Sequence, residues 1–295
     1  MATAVLEFVQ ALLVQTSQAF WTAFSGLIWP ALAFGAIAFI VRGVEAFRIA
    51  REATPQVRIN LTLFAIDIAF VTPLLVMALT FVGGVIQQNG LRLFSAELWA
   101  AFPAWIVVIV ALFAGDFIGY WRHRLEHTPF LWPAHAIHHS DTHMTWTTGL
   151  RFHPLNRVST ALIDTTFLAL LGLPLWALMI NNLTRHFYGL FIHMDLPWTY
   201  GPLGRVFVSP AMHRWHHIRD ADGPGVNFAT LFSVFDQAFR TYHLPRPCDA
   251  PLGVRDPIGK GALGQLMWPF RVIWRYFLHH SGRARRDPEP RGSQS

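Results

Sequence analysis

Eight histidines fall in three short boxes: His123 and His127 in HRLEH, His135, His138 and His139 in HAIHH, and His213, His216 and His217 in HRWHH. Spacings of three and four place side chains on one helical face, so each box presents two or three imidazoles to a common point. With 15 histidines in 295 residues, one HxxHH arises by chance about 0.04 times per chain, and here there are two. Carried as imidazolium, the rings would repel one another, whereas a metal keeps them neutral and turns crowded lone pairs into bonds. Cys248 is the single cysteine, which excludes an intrachain disulfide and a thiolate cluster and leaves nitrogen or oxygen ligation. A catalytic zinc takes three protein ligands and a structural zinc four, so this many imidazoles points to two ions. His193, ending the apolar YGLFIH, is the ninth expected ligand, placed where a returning helix reaches the same face. His186, seven residues earlier, His143, one turn past His139, and His153 in RFHP are additional candidates, although Ser140 and Asp141 before His143 favour a turn. His243, His279 and His280 sit in polar contexts and are read as bystanders.

Nitrogen ligation suits iron, zinc, copper or nickel. A zinc peptidase would place a glutamate directly after the first histidine of a helical pair; here Glu126 directly precedes the second, His127, and the pattern fails. Two adjacent irons at a membrane face could instead reduce dioxygen and attack an unactivated C–H bond of a lipid, which suits a chain this apolar because the substrate enters from the bilayer. Asp116 interrupts an apolar run, and Tyr120, His123 and His127 follow on its helical stripe. A carboxylate inside a span is costly unless paired. Asp116 is therefore expected to accept the free N–H of a ligand imidazole, with Tyr120 assisting from the same stripe; pairing with Arg122 or Arg124 is the structural alternative. Asp67 and Asp164 are read as buried polar partners.

The elements that must position these residues are membrane helices. Hydrophobic residues make up 53% of the chain, charged ones 14%, and the mean hydropathy is +0.35. The net charge of +6 comes from scattered arginines, which excludes a nucleic-acid surface and suits anionic lipid. Apolar stretches at about 20–41, 61–86 and 99–121 are long enough to cross a hydrocarbon core. A fourth, about 158–193, is too long for one crossing and is broken by LGLP at 171–174, which predicts a helical hairpin. The expected fold is an all-α polytopic membrane bundle with four or five crossings and a histidine-rich metal-binding cap, forming one integral-membrane domain over 1–280. Arg42, Arg48, Arg51 and Arg58 after the first span, and Arg122 and Arg124 after the third, place those loops and all the boxes in the cytoplasm. The N-terminal MATAVLEFVQALLVQ lacks a basic region and is expected to be an interfacial helix. Residues 281–295 are expected to be disordered. Arginine almost wholly replaces lysine, Lys260 being the one lysine; this hints at a bacterial source, hence an inner-membrane location.

The ordered runs DFIGYWRHRLEH, HAIHHSDTHMTWTTGLRFHP, FIHMDL and HRWHH resemble the fatty acid hydroxylase/sterol desaturase superfamily of integral-membrane histidine-box oxygenases, over about residues 105–240. The resemblance implies His123 and His127 as the first box, His135, His138 and His139 as the second, His213, His216 and His217 as the third, and His193 as the ligand between the second and third. It also implies two iron ions, for which zinc can substitute in purified protein, with dioxygen as co-substrate and an external electron donor. The one HP dipeptide after the second box, His153–Pro154, is followed by Leu-Asn, so no fused haem domain is expected, and a separate ferredoxin- or cytochrome-type partner would supply electrons. The product is an alcohol or an alkene. Sterol, hopanoid, carotenoid, fatty acyl and ether lipids all suit such a site. The competing readings are a di-zinc membrane lipid hydrolase, which needs no electron donor, and a histidine-rich metal transporter, which would string its ligands through the membrane at several depths.

Overall fold

Apolar helical runs separated by Gly and Pro build an all-helical chain in the computed structural model, which describes residues 14, 16–219 and 225–280. The expected interfacial helix, except for Val14, and the expected disordered tail lie outside these residues. Three helices among the described residues are long and apolar enough to cross a membrane: Thr16–Arg42 (α1), Glu45–Gln88 (α2) and Ala104–Glu126 (α3). Their outward faces are apolar, with Trp29, Ile40 and Phe81 more than two-thirds exposed. A water-soluble fold would bury such a surface, and the chain is an integral membrane protein.

Two of the expected boundaries need correction. The stretch between the first and second spans is not a loop, because α2 is continuous over 44 residues, about 66 Å at 1.5 Å per residue and twice the hydrocarbon thickness. Ion pairs from Arg48 to Glu45 and Glu52, three and four residues apart, support its polar first turns. The third span begins at Ala104, since Pro103 in extended conformation separates it from a short helix, Ala96–Ala100, capped by Ser95. It runs on to Glu126, so His123 occupies its last turn and His127 its C-cap.

Helix Trp132–His139 (α4) follows after a four-residue turn at 128–131. The expected hairpin is present. Its first arm (α5) is Pro154–Thr160, a wider π turn at Ala161–Thr165, and Thr166–Leu170; its second (α6) is Leu175–Ile192. Gly172 takes φ +73° in the turn, where a side chain would collide with the Phe94 carbonyl, and Pro174 opens α6. An apolar core of Trp99, Val107, Leu168, Leu173 and Leu178 surrounds the turn, while His153 and His193 lie at the other end, beside the boxes. The hairpin therefore leaves and returns to the histidine-bearing end. Along it, α6 packs on α3 through Gly115 and Gly119, whose missing side chains leave room for Asn181 and Arg185. Pro210–His216 (α7) is capped by Ser209, which accepts from the Met212 N–H at 3.2 Å. A long amphipathic helix, Trp268–His280 (α8), packs against α4.

Candidate metal centre

Each box sits where a helix ends. His123 and His127 close α3, His135, His138 and His139 close α4, His213, His216 and His217 close α7, and His193 closes α6. These four ends meet, and the nine imidazoles sort into two groups: His123, His127, His135, His139 and His216; and His138, His193, His213 and His217. Within each group one nitrogen from every ring lies within 4.8 Å of the others. The boxes do not map one to a group. In α4 the i,i+4 pair His135 and His139 joins the first group and His138 the second; in α7 the pair His213 and His217 joins the second and His216 the first.

The ring contacts test whether the two groups fit metal ions. His138 Nδ1 meets the Arg151 carbonyl at 3.2 Å and His193 Nδ1 meets the Gly189 carbonyl. A carbonyl only accepts, so both Nδ1 atoms carry the proton and both Nε2 atoms are bare. Yet those Nε2 atoms lie 3.2 Å apart. The same holds for His123, whose Nδ1 donates to the Phe228 carbonyl at 2.8 Å, and His135, whose Nδ1 donates to Asn156 Oδ1 at 3.2 Å; their Nε2 atoms are 3.0 Å apart. Two lone pairs at this distance repel unless a cation separates them. Around an ion with metal–nitrogen bonds of about 2.1 Å, ligand–ligand edges measure about 3.0 Å in an octahedron and about 3.4 Å in a tetrahedron. His216 donates from Nδ1 to the Val226 carbonyl at 2.7 Å, and its buried Nε2, like that of His127, has no hydrogen-bond partner. The donor set fits metal ions in both groups.

Burial keeps the rings neutral. It pushes His216 down to about 3 and His193 to about 4. Burial, reinforced by neighbouring imidazoles, holds His127, His138, His139, His213 and His217 well below the usual histidine range. Neutral imidazole is the form that ligates.

The additional candidates lie apart. His143 is exposed, its Nδ1 on Thr142 and its backbone N–H on Asp141, which caps the intervening turn. His153 spends both nitrogens locally, with Nε2 on the Leu266 carbonyl and Nδ1 accepting from the Leu155 N–H. His186 lines a cavity below the second group without joining it. The expected role of Asp116 also needs correction: it accepts the N–H groups of Thr230, Leu231 and Phe232 and lies 3.6 Å from Arg185, bonded to none of the nine imidazoles. Tyr120 likewise bonds to Thr241 at 3.0 Å and not to a ring. The carboxylate beside a ligand candidate is Glu126, 3.5 Å from His135 Nδ1, held by Asn156 at 2.6 Å, Ser159 at 2.7 Å and Arg122 at 2.7 Å. Its signal in the sequence was a carboxylate four residues after an arginine at a helix end. Asp67 and Asp164 do act as buried partners, to Arg157 and to Arg122 with Arg185.

Beneath the rings lies a cavity of about 450 Å³ that reaches His123 and His135 of one group and His138, His193 and His213 of the other. Leu75, Val76 and Leu79 of α2 make one apolar wall; Arg122, Asp164 and Arg185 lie on another.

Comparison with known proteins agrees with this arrangement. The family model for fatty acid hydroxylase matches residues 108–241, a segment that contains all nine imidazoles. This part of the chain is thus similar to the fatty acid hydroxylase family. The matched segment starts within α3, so α1 and α2 lie outside it, although α2 walls the cavity. The chain is similar to ornithine lipid hydroxylase OlsE of Rhizobium tropici, 32% identical over 60% of this chain and 54% of the relative. It is also similar to the alkylglycerol monooxygenases of Caenorhabditis elegans, 29% identical over 56% of this chain and 32% of the relative, and of Homo sapiens, 30% identical over 43% and 28%. The chain thus spans about half the length of the first of these relatives and about a third or less of the others. No solved structure matches.

Proposed function

We propose that this protein is a membrane oxidoreductase that uses two iron ions, dioxygen and external electrons to oxidise a C–H bond of a lipid. The observation that carries the reading is the cavity that opens on both imidazole groups at once while one wall is apolar hydrocarbon-facing helix. The relatives are named for hydroxylation of ornithine lipid and monooxygenation of alkylglycerol, and both names support a lipid substrate. One oxygen atom would enter the substrate as an alcohol and the other leave as water, consuming two electrons and two protons; where a second hydrogen is removed in place of oxygen insertion, the product is an alkene and both oxygen atoms leave as water for the same two electrons and two protons.

Iron held by the two groups would supply the redox chemistry and the activation of dioxygen. The chain's own residues do the rest. The backbone carbonyls of Phe228, Arg151, Gly189 and Val226 aim bare Nε2 atoms inward. Leu75, Val76 and Leu79 take the substrate's hydrocarbon, and the paired Arg122, Asp164 and Arg185 meet its polar atoms without leaving a charge unpaired. Four or five crossings, with the hairpin α5–α6 re-entering the bilayer of a bacterial inner membrane, put the rings at the cytoplasmic face, where a ferredoxin- or cytochrome-type donor can reach them. The transporter alternative loses ground because the imidazoles gather in two adjacent groups at helix ends and are not strung through the spans.

The test is metal content of purified protein together with dioxygen uptake by membranes given lipid and reductant. Two ions per chain and uptake abolished by His138→Ala are expected; uptake that survives this change overturns the reading. Zinc in purified material would be exchanged for ferrous iron before assay, because overproduction can load the wrong divalent ion.

A further inference from the structure

The segment 226–232 supplies carbonyls to two rings of the first group: Phe228 to His123 and Val226 to His216. It forms neither helix nor strand, so its own backbone donors need acceptors elsewhere. Five successive N–H groups, Phe228 to Phe232, find them in two side chains. Asp236 accepts from Phe228 at 2.7 Å and Ala229 at 3.1 Å; Asp116 accepts from Thr230 at 3.1 Å, Leu231 at 3.0 Å and Phe232 at 2.7 Å. Consecutive N–H groups converge on one anion only where the chain curls around it, and here two such turns follow one another. Both carboxylates are fully buried. Thr241 donates to Asp236 at 2.7 Å, and Arg185 lies beside Asp116. Asn227, at φ +59°, ties the entry of the segment to the Met212 and His243 carbonyls. The rings of the second group whose Nδ1 meets a carbonyl take it from Arg151 and Gly189, outside this segment.

We propose that Asp116 and Asp236 are positioning residues: by caging the 228–232 backbone from both sides they fix the two carbonyls that orient His123 and His216, and so set one metal site of the pair selectively. The proposal rests on the two-ion reading above. An isosteric asparagine replaces an accepting oxygen with an NH2 group that faces N–H donors, so the cage opens while side-chain volume is kept.

The experiment loads full-length detergent-solubilised protein with cobalt(II), recording ions per chain, affinity by chelator competition and the visible d–d spectrum. Leu168→Ala, a fully buried core position near the hairpin turn, serves as a destabilised control. The expected result is two cobalt ions in wild type and in Leu168→Ala. In Asp116→Asn and Asp236→Asn, one ion keeps wild-type affinity, the other binds at least about tenfold more weakly, and half the d–d intensity changes. Wild-type affinity for both ions in the asparagine variants overturns the proposal, and so does equal weakening of both. Should those variants fail to accumulate, Thr241→Val removes only the hydroxyl that orients Asp236. A selective loss of a few fold at one site is then expected, and two unchanged sites overturn the proposal. Fewer than two ions in wild type overturns the two-ion reading itself, a result distinct from any of these.

Discussion

Acidifying the metal-free protein should unfold it, and the size of the effect follows from two rings. His216 and His193 are held at about 3 and about 4 by burial, opposed only in part by their Nδ1 hydrogen bonds to the Val226 and Gly189 carbonyls. In an unfolded chain the same groups titrate near 6.5. A folded value below the unfolded one means that the folded state resists protonation. The stability these rings contribute is therefore complete above pH 6.5 and is lost as pH falls from there towards 4 and 3. At pH 5.0, about 1.5 units below the unfolded value, each ring costs about 2 kcal/mol relative to pH 7.5, or ~4 kcal/mol for the two. His138, His139, His213 and His217 act in the same direction.

Set against a total stability of about 5–15 kcal/mol, a loss of ~4 kcal/mol is large. At roughly 2–4 °C per kcal/mol for a chain of this size, thermal unfolding of chelator-treated protein in detergent should fall by about 10 °C or more between pH 7.5 and 5.0. Stoichiometric cobalt or zinc, which binds the neutral rings of the folded state, should raise the melting temperature at both pH values. Equal melting temperatures of metal-free protein at pH 7.5 and 5.0 would refute the reasoning, because neutral buried imidazoles could not then be part of the folded state.

Glu126→Gln keeps the shape of the carboxylate but removes one of the two charges facing buried Arg122, which keeps Asp164; it should cost about 1.5–3 kcal/mol, the loss of a charge-assisted hydrogen bond, and lower the affinity of the five-imidazole group about 10- to 100-fold in chelator competition. Gly172→Ala places a side chain at φ +73° against the Phe94 carbonyl and should lower stability by at least about 2 kcal/mol in thermal unfolding. A methyl at Gly119 meets the Arg185 guanidinium, which pairs with Asp164 on the cavity wall; Gly119→Ala should reduce lipid turnover in an oxygen-uptake assay while metal content stays at the wild-type value. Alanine at His138 and at His139, one residue apart, should strip different ions, with His217→Ala resembling the first and His216→Ala the second in cobalt spectra.

What was legible in the sequence was local. The boxes announced themselves because residue type and spacing alone place imidazoles on one face, and LGLP announced the hairpin because glycine and proline punctuate any helix. The polar half of α2 carries no apolar period of a span and so resembles a loop in sequence; its helix is supported by Glu45, Arg48 and Glu52 pairing along one side and by Gln56 and Asn60 docking on Arg151. Asp116, a carboxylate inside an apolar run, must have a partner. Its acceptor role is filled by backbone N–H groups more than 110 residues away in the chain, and backbone has no signature by type. Glu126 has only a failed peptidase pattern as its context in the sequence, whereas its significance depends on Asn156 and Ser159, which the hairpin brings beside it.

The spacing HxxHH itself has a physical reason that becomes visible in three dimensions. Neighbouring residues on a helix diverge by about 100°, while residues four apart diverge by about 40°. The first and last histidines of the box therefore converge on one point, and the middle one, adjacent to the last, faces aside. A helix carrying this box beside a single ligand group would waste a ring; lying between the two groups it serves both. The two boxes do so reciprocally, α4 giving its pair to the group that takes one ring from α7, and α7 giving its pair to the group that takes one ring from α4. Two short helices so placed hold the groups at a separation that neither can change alone, since shifting either helix moves rings in both. His123 and His127 then complete the first group and His193 the second, each from the end of a long helix that also walls the cavity. The distance between the groups and their height above the cavity are thus set by the same helices, which is the coupling that the proposed oxidation of a lipid C–H bond would use.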